Sequence, residues 1–234
     1  MDANQSRREF KFILPAGDDL KLRAAIAEHL PVDQGAIEGY SVYSEYFDTD
    51  DHETYWQKQL GHPNRRRVRT RIYGEEGDER APTAFLEVKH KNEGLSVKRR
   101  LLVDYTELIT ADGRHLPLPP NEERCRVGRE LGDLLESDER QAVVKIRYHR
   151  HAFDEGEDGR LRVTFDSRLR CSFPALDGEA KELPLLEPGE AVMEVKTLGN
   201  VPYWFRQTIS KFKLVPRGFS KYTTALSRYH YQTS

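Results

Sequence analysis

Five arginines fall within seven residues of the stretch Arg65-Arg66-Arg67-Val68-Arg69-Thr70-Arg71-Ile72-Tyr73-Gly74. Guanidinium groups are planar, permanently charged forks that grip two oxygens at once, so the chemistry they suggest is the binding or transfer of a polyanion. Spacing decides which of them act together. As a strand, the stretch places Arg67, Arg69, Arg71 and Tyr73 on one face and Val68, Thr70 and Ile72 on the other, with Arg65 and Arg66 in the preceding turn.

The same division recurs along the chain. Residues 7–14 set Arg7, Glu9 and Lys11 against Phe10, Phe12 and Leu14. Residues 85–91 set Glu87, Lys89 and Lys91 against Leu86 and Val88, and residues 96–103 set Lys98 and Arg100 against Val97, Leu101 and Val103. Arg99 falls on the apolar side there, as expected of an edge position. Residues 142–153 carry Tyr148 and Arg150 together, residues 160–166 alternate Arg160, Arg162, Thr164 and Asp166 with Leu161, Val163 and Phe165, and residues 192–196 put Glu194 and Lys196 opposite Met193 and Val195. Cations outnumber carboxylates on these faces, whereas the solvated face of an ordinary sheet mixes signs more evenly. Strands of this kind closed into a barrel would direct alternate residues to the axis and make a cationic channel. Burying such cations unpaired is prohibitive, so the channel calls for a polyanion such as a phosphate chain, with the few carboxylates left to hold a divalent metal.

Other elements must position these faces. Asp18 is the expected N-cap of a helix reaching Leu30, with Leu22, Ala25, Ile26 and Leu30 as its apolar stripe and Pro31 after it. Residues 40–47 read as a strand, and 48–64 as a polar segment with a short helix. The segment 75–82 and Asn92-Glu93-Gly94 read as turns, residues 116–120 as a Pro-rich loop, residues 122–135 as a helix, 154–159 as a turn and 172–190 as loop. Residues 202–212 and 221–229 read as helices with aromatic stripes. The 234 residues are expected to form a single domain spanning 1–234. Two cysteines, Cys125 and Cys171, fit neither a metal motif nor a disulfide framework, which suits a reducing compartment. The start MDANQSRREF has no apolar run after its charges and no stretch is long enough to span a bilayer, so the chain is expected to be soluble and cytoplasmic.

In order along the chain, "RREFKF", "YFDT", "RVRTRIYG", "FLEVKHK", "SVKRR", "YHRHAF", "LRVTFD", "VMEVK" and "FSKY" resemble the catalytic domain of vacuolar transporter chaperone (VTC) proteins. These are the polyphosphate polymerases among the triphosphate tunnel metalloenzymes, a CYTH-like superfamily. The resemblance implies an α+β fold, a closed antiparallel eight-stranded β-barrel with helices packed outside. It implies that Lys11, Arg69, Arg71, Lys89, Lys98, Arg150 and Arg162 grip phosphates, with Arg67, Lys91 and Arg100 on the same faces. Tyr148, Ser220 and Lys221 are similar to positions that contact the nucleotide triphosphate or chain end. Glu194 resembles the metal-binding glutamate, for Mn²⁺ or Mg²⁺, with Glu9 beside it. Related triphosphatases and adenylyl cyclases begin Glu-x-Glu-x-Lys, whereas this chain has Arg7-x-Glu9-x-Lys11; losing one carboxylate favours the polymerase branch over the hydrolase branch.

The expected partners are therefore ATP and inorganic polyphosphate, together with a membrane-protein partner of the kind family members operate beside. A triphosphatase on the same fold and a non-catalytic polyphosphate-binding module are the alternatives. Single-stranded RNA binding, with Tyr73 and Trp56 as stacking residues, is the rival outside the fold; a net charge of −2 argues against it, and no nucleic acid is expected. His149 and His151 lie two apart on one strand face, but two histidines with no nearby carboxylate make a poor metal pair.

Overall fold

The alternating stretches become strands in the computed structural model, which describes residues 7–33, 37–74, 83–93, 95–104, 122–136, 139–155, 160–174 and 180–231. The elements run β1 (Arg7–Leu14), α1 (Asp18–Ala27), β2 (Tyr40–Asp48), α2 (Glu53–Gln59), β3 (Arg65–Tyr73), β4 (Thr83–Asn92), β5 (Leu95–Val103), α3 (Glu122–Glu136), β6 (Gln141–Asp154), β7 (Leu161–Ser172), β8 (Leu183–Pro184), β9 (Ala191–Leu198), α4 (Tyr203–Lys211) and α5 (Lys221–Tyr229). By internal contacts they form two compact units: residues 1–41, 148–170 and 184–220, and residues 42–147, 171–183 and 221–234.

In the first unit β9 lies between β1 and β7, antiparallel to both, and the C-terminal half of β6 follows β7. One face of these strands is apolar because every second residue is. Phe12, Leu14, Val163, Phe165, Met193 and Val195 are buried there beneath Leu22 and Ile26 of α1 and Phe205 of α4. Burying each side chain of this size is worth about 1.5–3 kcal/mol, which fixes the register and leaves the charged residues on the opposite face. In the second unit the order is β6, β2, β3, β4, β5. Here Phe47, Val68, Leu86, Val88 and Leu101 pack against Leu131, Leu134 and Leu135 of α3. The helices α1, α3 and α4 thus cover apolar sheet faces, as the α+β reading expects.

Several local expectations are corrected. Arg65 and Arg66 are not in a turn: they open β3, opposite Lys91 and His90 of β4, because backbone pairing there extends to the end of the arginine run. The residue before α1 that caps it is Gly17 at φ 85 rather than Asp18, which sits in the first turn beside the exposed helix N–H groups. The strand expected to end at Asp166 continues to Ser172, and the 172–190 loop contains the two-residue β8 paired to β7. Arg99 on the apolar side is satisfied by Glu130 of α3, its Nη1 lying 2.8 Å from Oε2. The turn at 75–82, the loop at 116–120, Gly94, and 156–159 of the 154–159 turn lie outside the described residues. Among the described residues, no helix is long and apolar enough to cross a membrane.

Candidate functional site

The register of β2 to β5 turns the alternation into a patch. Residues directly opposite one another share a face, so Tyr46, Arg69, Glu87 and Arg100 form one cross-strand row. Ser44, Arg71 and Phe85 form the row beside it, Arg67, Lys89 and Lys98 the row on the other side, and Arg65, Lys91 and Ser96 the next. Hence Arg67, Arg69, Arg71, Lys89, Lys91, Lys98 and Arg100 lie together on the charged face of the second unit, as expected. Arg67, Lys89 and Lys98 stand side by side although like charges in direct opposition repel.

What holds this crowd of cations is Glu87, 1% exposed. Its Oε2 accepts from Arg69 Nε at 2.7 Å, with Arg69 Nη2 at 2.6 Å, and its Oε1 accepts from Lys98 Nζ at 3.2 Å. Arg71 Nε approaches Oε2 at 3.9 Å. Burial pushes the Glu87 carboxyl up, but the charges of Arg69, Arg71 and Lys98 outweigh it and set its pKa at about 2. Arg69 spends its remaining edge on Tyr46, donating from Nη1 to the phenol oxygen at 3.1 Å. Burial would raise the Tyr46 phenol; Arg69, Arg71, Arg67 and Lys221 together bring it down to about 8.

A buried scaffold fixes these rings. Tyr46 stacks on Tyr222 of α5 at 5.3 Å between centroids, and Arg67 lies 5.4 Å over the same Tyr222 ring. Tyr222 donates its hydroxyl to Asp48 Oδ2. Asp48, 0% exposed, also accepts from the backbone N–H groups of Thr54 and Tyr55 at the start of α2 and from Arg140 Nη1 at 3.3 Å. Desolvation and the Asp48 charge push the Tyr222 phenol well above the ordinary tyrosine range, so it remains a donor. Lys221, the first residue of α5, is one of the charges that lower the Tyr46 phenol.

The first unit has its own charged face. Lys11 stands opposite Glu194, and Thr164 opposite Glu194 from the other side. Lys11 Nζ is 3.0 Å from Glu9 Oε1 and 3.6 Å from Glu194 Oε2, and it donates to the Phe219 carbonyl, next to Ser220, at 3.2 Å. Lys196 Nζ lies 2.8 Å from Glu194 Oε1. Arg150 makes a two-pronged pair with Asp166, Nε to Oδ1 at 2.6 Å and Nη2 to Oδ2 at 2.8 Å, and sits 5.2 Å over the Tyr148 ring. Desolvation would lower its pKa, but Asp166 holds the guanidinium more firmly charged than usual. Arg162 donates to Asp154 at 2.6 Å and Asp33 at 2.8 Å.

These pairs correct one physical expectation. Five of the cations do not depend on an external polyanion to be tolerated, because the chain supplies a carboxylate for each: Glu87 for Arg69 and Lys98, Asp166 for Arg150, Asp154 and Asp33 for Arg162, Glu9 and Glu194 for Lys11. Sequence reasoning gave no role to Tyr46 or Tyr222 and grouped Glu87 and Asp166 with the carboxylates left to hold a metal, whereas the structure pairs them with Arg69, Lys98 and Arg150. The period-2 rule did place Glu87 and Asp166 on the charged faces; their partners, one strand away, required the register.

Glu9 and Glu194 are the carboxylates to test as metal ligands. Among the described residues no group of three or more His, Cys, Asp or Glu side chains could enclose an ion. The two glutamates instead converge on the Lys11 ammonium, with the buried Thr164 hydroxyl, which has no hydrogen-bond partner among the described residues, opposite Glu194. This donor set fits a hard divalent ion that takes one or two carboxylates and draws its other ligands from phosphate and water, the usual habit of Mg²⁺ and Mn²⁺ at phosphate sites. His149 meets the Glu38 carbonyl at 3.0 Å and packs edge-on against His151.

The sequence model of the VTC domain family matches residues 6–230. No curated protein matches the chain. Among solved structures, that of a candidate adenylate cyclase from Vibrio parahaemolyticus is similar at 11% identity and a TM-score of 0.48, covering 95% of this chain and 98% of that one.

Proposed function

Because the chain belongs to the VTC domain family, we propose that it is an ATP-dependent polyphosphate polymerase, which moves the γ-phosphate of ATP onto a growing inorganic polyphosphate chain. The observation that carries the reading is the cross-strand row Arg67, Lys89 and Lys98 beside Arg69 and Arg71. Five cations gathered on one sheet face around Glu87 concentrate positive charge in a pattern suited to a run of phosphates. A cytoplasmic location and a membrane-protein partner belong to this proposal.

Phosphoryl transfer asks a protein chiefly for positioning and for stabilising charge that spreads over the phosphate oxygens. Arg69 and Arg71 are oriented for this by Glu87, Ser44 and Tyr73, so they are held in place before substrate arrives. Lys89, Lys98 and Arg67 supply point charges and one further fork to the same face, with Lys221 in the same unit, while Lys11, Arg150 and Arg162 form the cationic set of the first unit. A terminal phosphate oxygen of the chain forms a bond to the γ-phosphorus while the bond from that phosphorus to the β,γ-bridging oxygen breaks, and ADP carries away the electron pair. The attacking oxygen is already anionic, so no general base is required. Glu194, with Glu9, would hold the Mn²⁺ or Mg²⁺, which when bound neutralises charge on the phosphate oxygens.

The test uses purified protein, ATP and Mn²⁺. Acid-labile phosphate chains should accumulate with ADP, and the Arg69→Ala, Arg71→Ala double variant should lose at least about 100-fold in rate, the scale of removing preorganised charge from a transfer site. Release of free phosphate without chains would instead make the protein a triphosphatase, and full activity in the double variant would remove these arginines from the site.

A further inference from the structure

From Val195 to Ser234 the chain contains no Asp or Glu, yet it carries Lys196, Arg206, Lys211, Lys213, Arg217, Lys221 and Arg228, in a protein of net charge −2. Four of these, Arg206, Lys211, Lys213 and Arg217, are exposed on α4 and the segment after it, in the first unit. Lys11, Arg69, Lys98, Arg150, Arg162 and Lys196 of the strands have carboxylate partners, but among the described residues no ion pair reaches any of these four. On a surface richly supplied with acidic side chains elsewhere, that is a gap in charge compensation.

Helix geometry makes the gap a site. Tyr203, Arg206, Gln207 and Ser210, at i, i+3, i+4 and i+7, form one stripe along about 12 Å of helix. With Lys211 they line a shallow concavity of about 470 Å³. Tyr203 is 67% exposed and Arg206 stacks over its ring at 5.6 Å, holding the guanidinium beside the concavity. The opposite side of α4 is fixed: Phe205 is in the core, and Trp204 stacks on His29, just beyond the end of α1, at 4.2 Å. The stripe therefore lies on the exposed side of α4, away from the core.

The segment beyond leads to the candidate functional site. Lys213, at φ 53, turns the chain at the end of α4; the Arg217 backbone N–H then donates to the Lys11 carbonyl at 2.8 Å, and Lys11 Nζ returns to the Phe219 carbonyl. Lys211, Lys213 and Arg217 thus stand along a path from the concavity to Lys11. A concave row of guanidinium, ammonium, amide and hydroxyl donors fits a flexible linear phosphate polymer. It suits a lipid surface poorly, since only Tyr203 and Val215 offer large exposed hydrophobic side chains there.

We propose that the exposed stripe of α4, with Lys211, Lys213 and Arg217, is an exterior binding track for a linear polyphosphate chain whose end occupies the site at Lys11. The proposal rests on the reading that this site handles phosphate chains. The track acts only on chains long enough to extend beyond the site, so it sets a dependence on chain length.

The test compares wild type with an Arg206→Glu, Lys211→Glu, Lys213→Glu variant in equilibrium binding of labelled long-chain polyphosphate and of tripolyphosphate at several salt concentrations. Long-chain affinity should fall at least about tenfold and its log–log salt slope should become shallower by about 2, as expected for three lost phosphate contacts, while tripolyphosphate binding stays unchanged. Equal loss for both ligands, or a long-chain affinity within twofold of wild type, overturns the track. So does retained long-chain binding with lost binding to phosphatidylserine vesicles or to single-stranded RNA, which would assign the surface to a membrane or a nucleic acid. The Lys11→Ala variant is measured alongside: undiminished tripolyphosphate binding there would count against the site reading, whereas the long-chain difference at α4 is read independently of turnover.

Discussion

Replacing Glu87 with Gln keeps the side-chain size and removes the one negative charge shared by Arg69, Arg71 and Lys98. The carboxyl is buried, and its pKa falls from 4.5 to about 2 on folding. That drop corresponds to about 3 kcal/mol of stability near neutral pH, in line with the cost of removing one partner of a buried pair. Glu87→Gln should therefore unfold at lower urea, with its melting temperature down by about 6–12 °C for a chain of this length. The sign of the pH dependence follows from the lowered value. The contribution is complete above the unfolded-state value and is lost as pH falls toward about 2, so the gap between wild type and variant should stay flat from about pH 7 to about pH 5 and narrow below about pH 4.5. Urea unfolding at a series of pH values measures this directly. With their internal anion gone, the three cations should also gain more from an external one, so tripolyphosphate should raise the variant's midpoint more than the wild type's. A variant within about 0.5 kcal/mol of wild type at neutral pH, the spread of ordinary surface substitutions, would refute the counter-ion role.

Two further outcomes test neighbouring features. Titration of the ionised-phenol absorbance should show a step at about 8, ahead of the other tyrosines, that disappears in Tyr46→Phe and moves up when tripolyphosphate neutralises Arg67, Arg69 and Arg71; a step that survives Tyr46→Phe assigns it elsewhere. Gly39 lies at φ 81, where an added Cβ would fall 2.4 Å from His149 Nε2 and 2.8 Å from the Arg150 carbonyl oxygen. Gly39→Ala should cost about 2 kcal/mol or more in urea unfolding, and unchanged stability would show that β6 yields easily at this point.

The sequence by itself determined which side of each strand is charged. Alternation is local, because successive side chains on a strand point to opposite faces whatever lies beside it, and burial of Phe12, Val68, Leu86, Val163 and Met193 then forces the choice of face. That is why Lys11, Arg67, Arg69, Arg71, Lys89 and Lys98 could be grouped from spacing, and why the helices at 122–135 and 221–229 were legible from their periodicity. Only the tertiary structure decided which charges meet. Glu87 reaches Arg69 and Lys98 because β4 pairs with β3 and β5 in one register, and a slip of one residue would turn it to the opposite face. Arg99 looked like a defect until α3 supplied Glu130, and Arg65 and Arg66 looked like a turn until β4 offered backbone partners. Ion pairing joins residues distant in sequence and is set by register and helix placement, which side-chain periodicity does not encode. So the arginine run was readable as a basic wall, and its neutralisation by a buried glutamate was not.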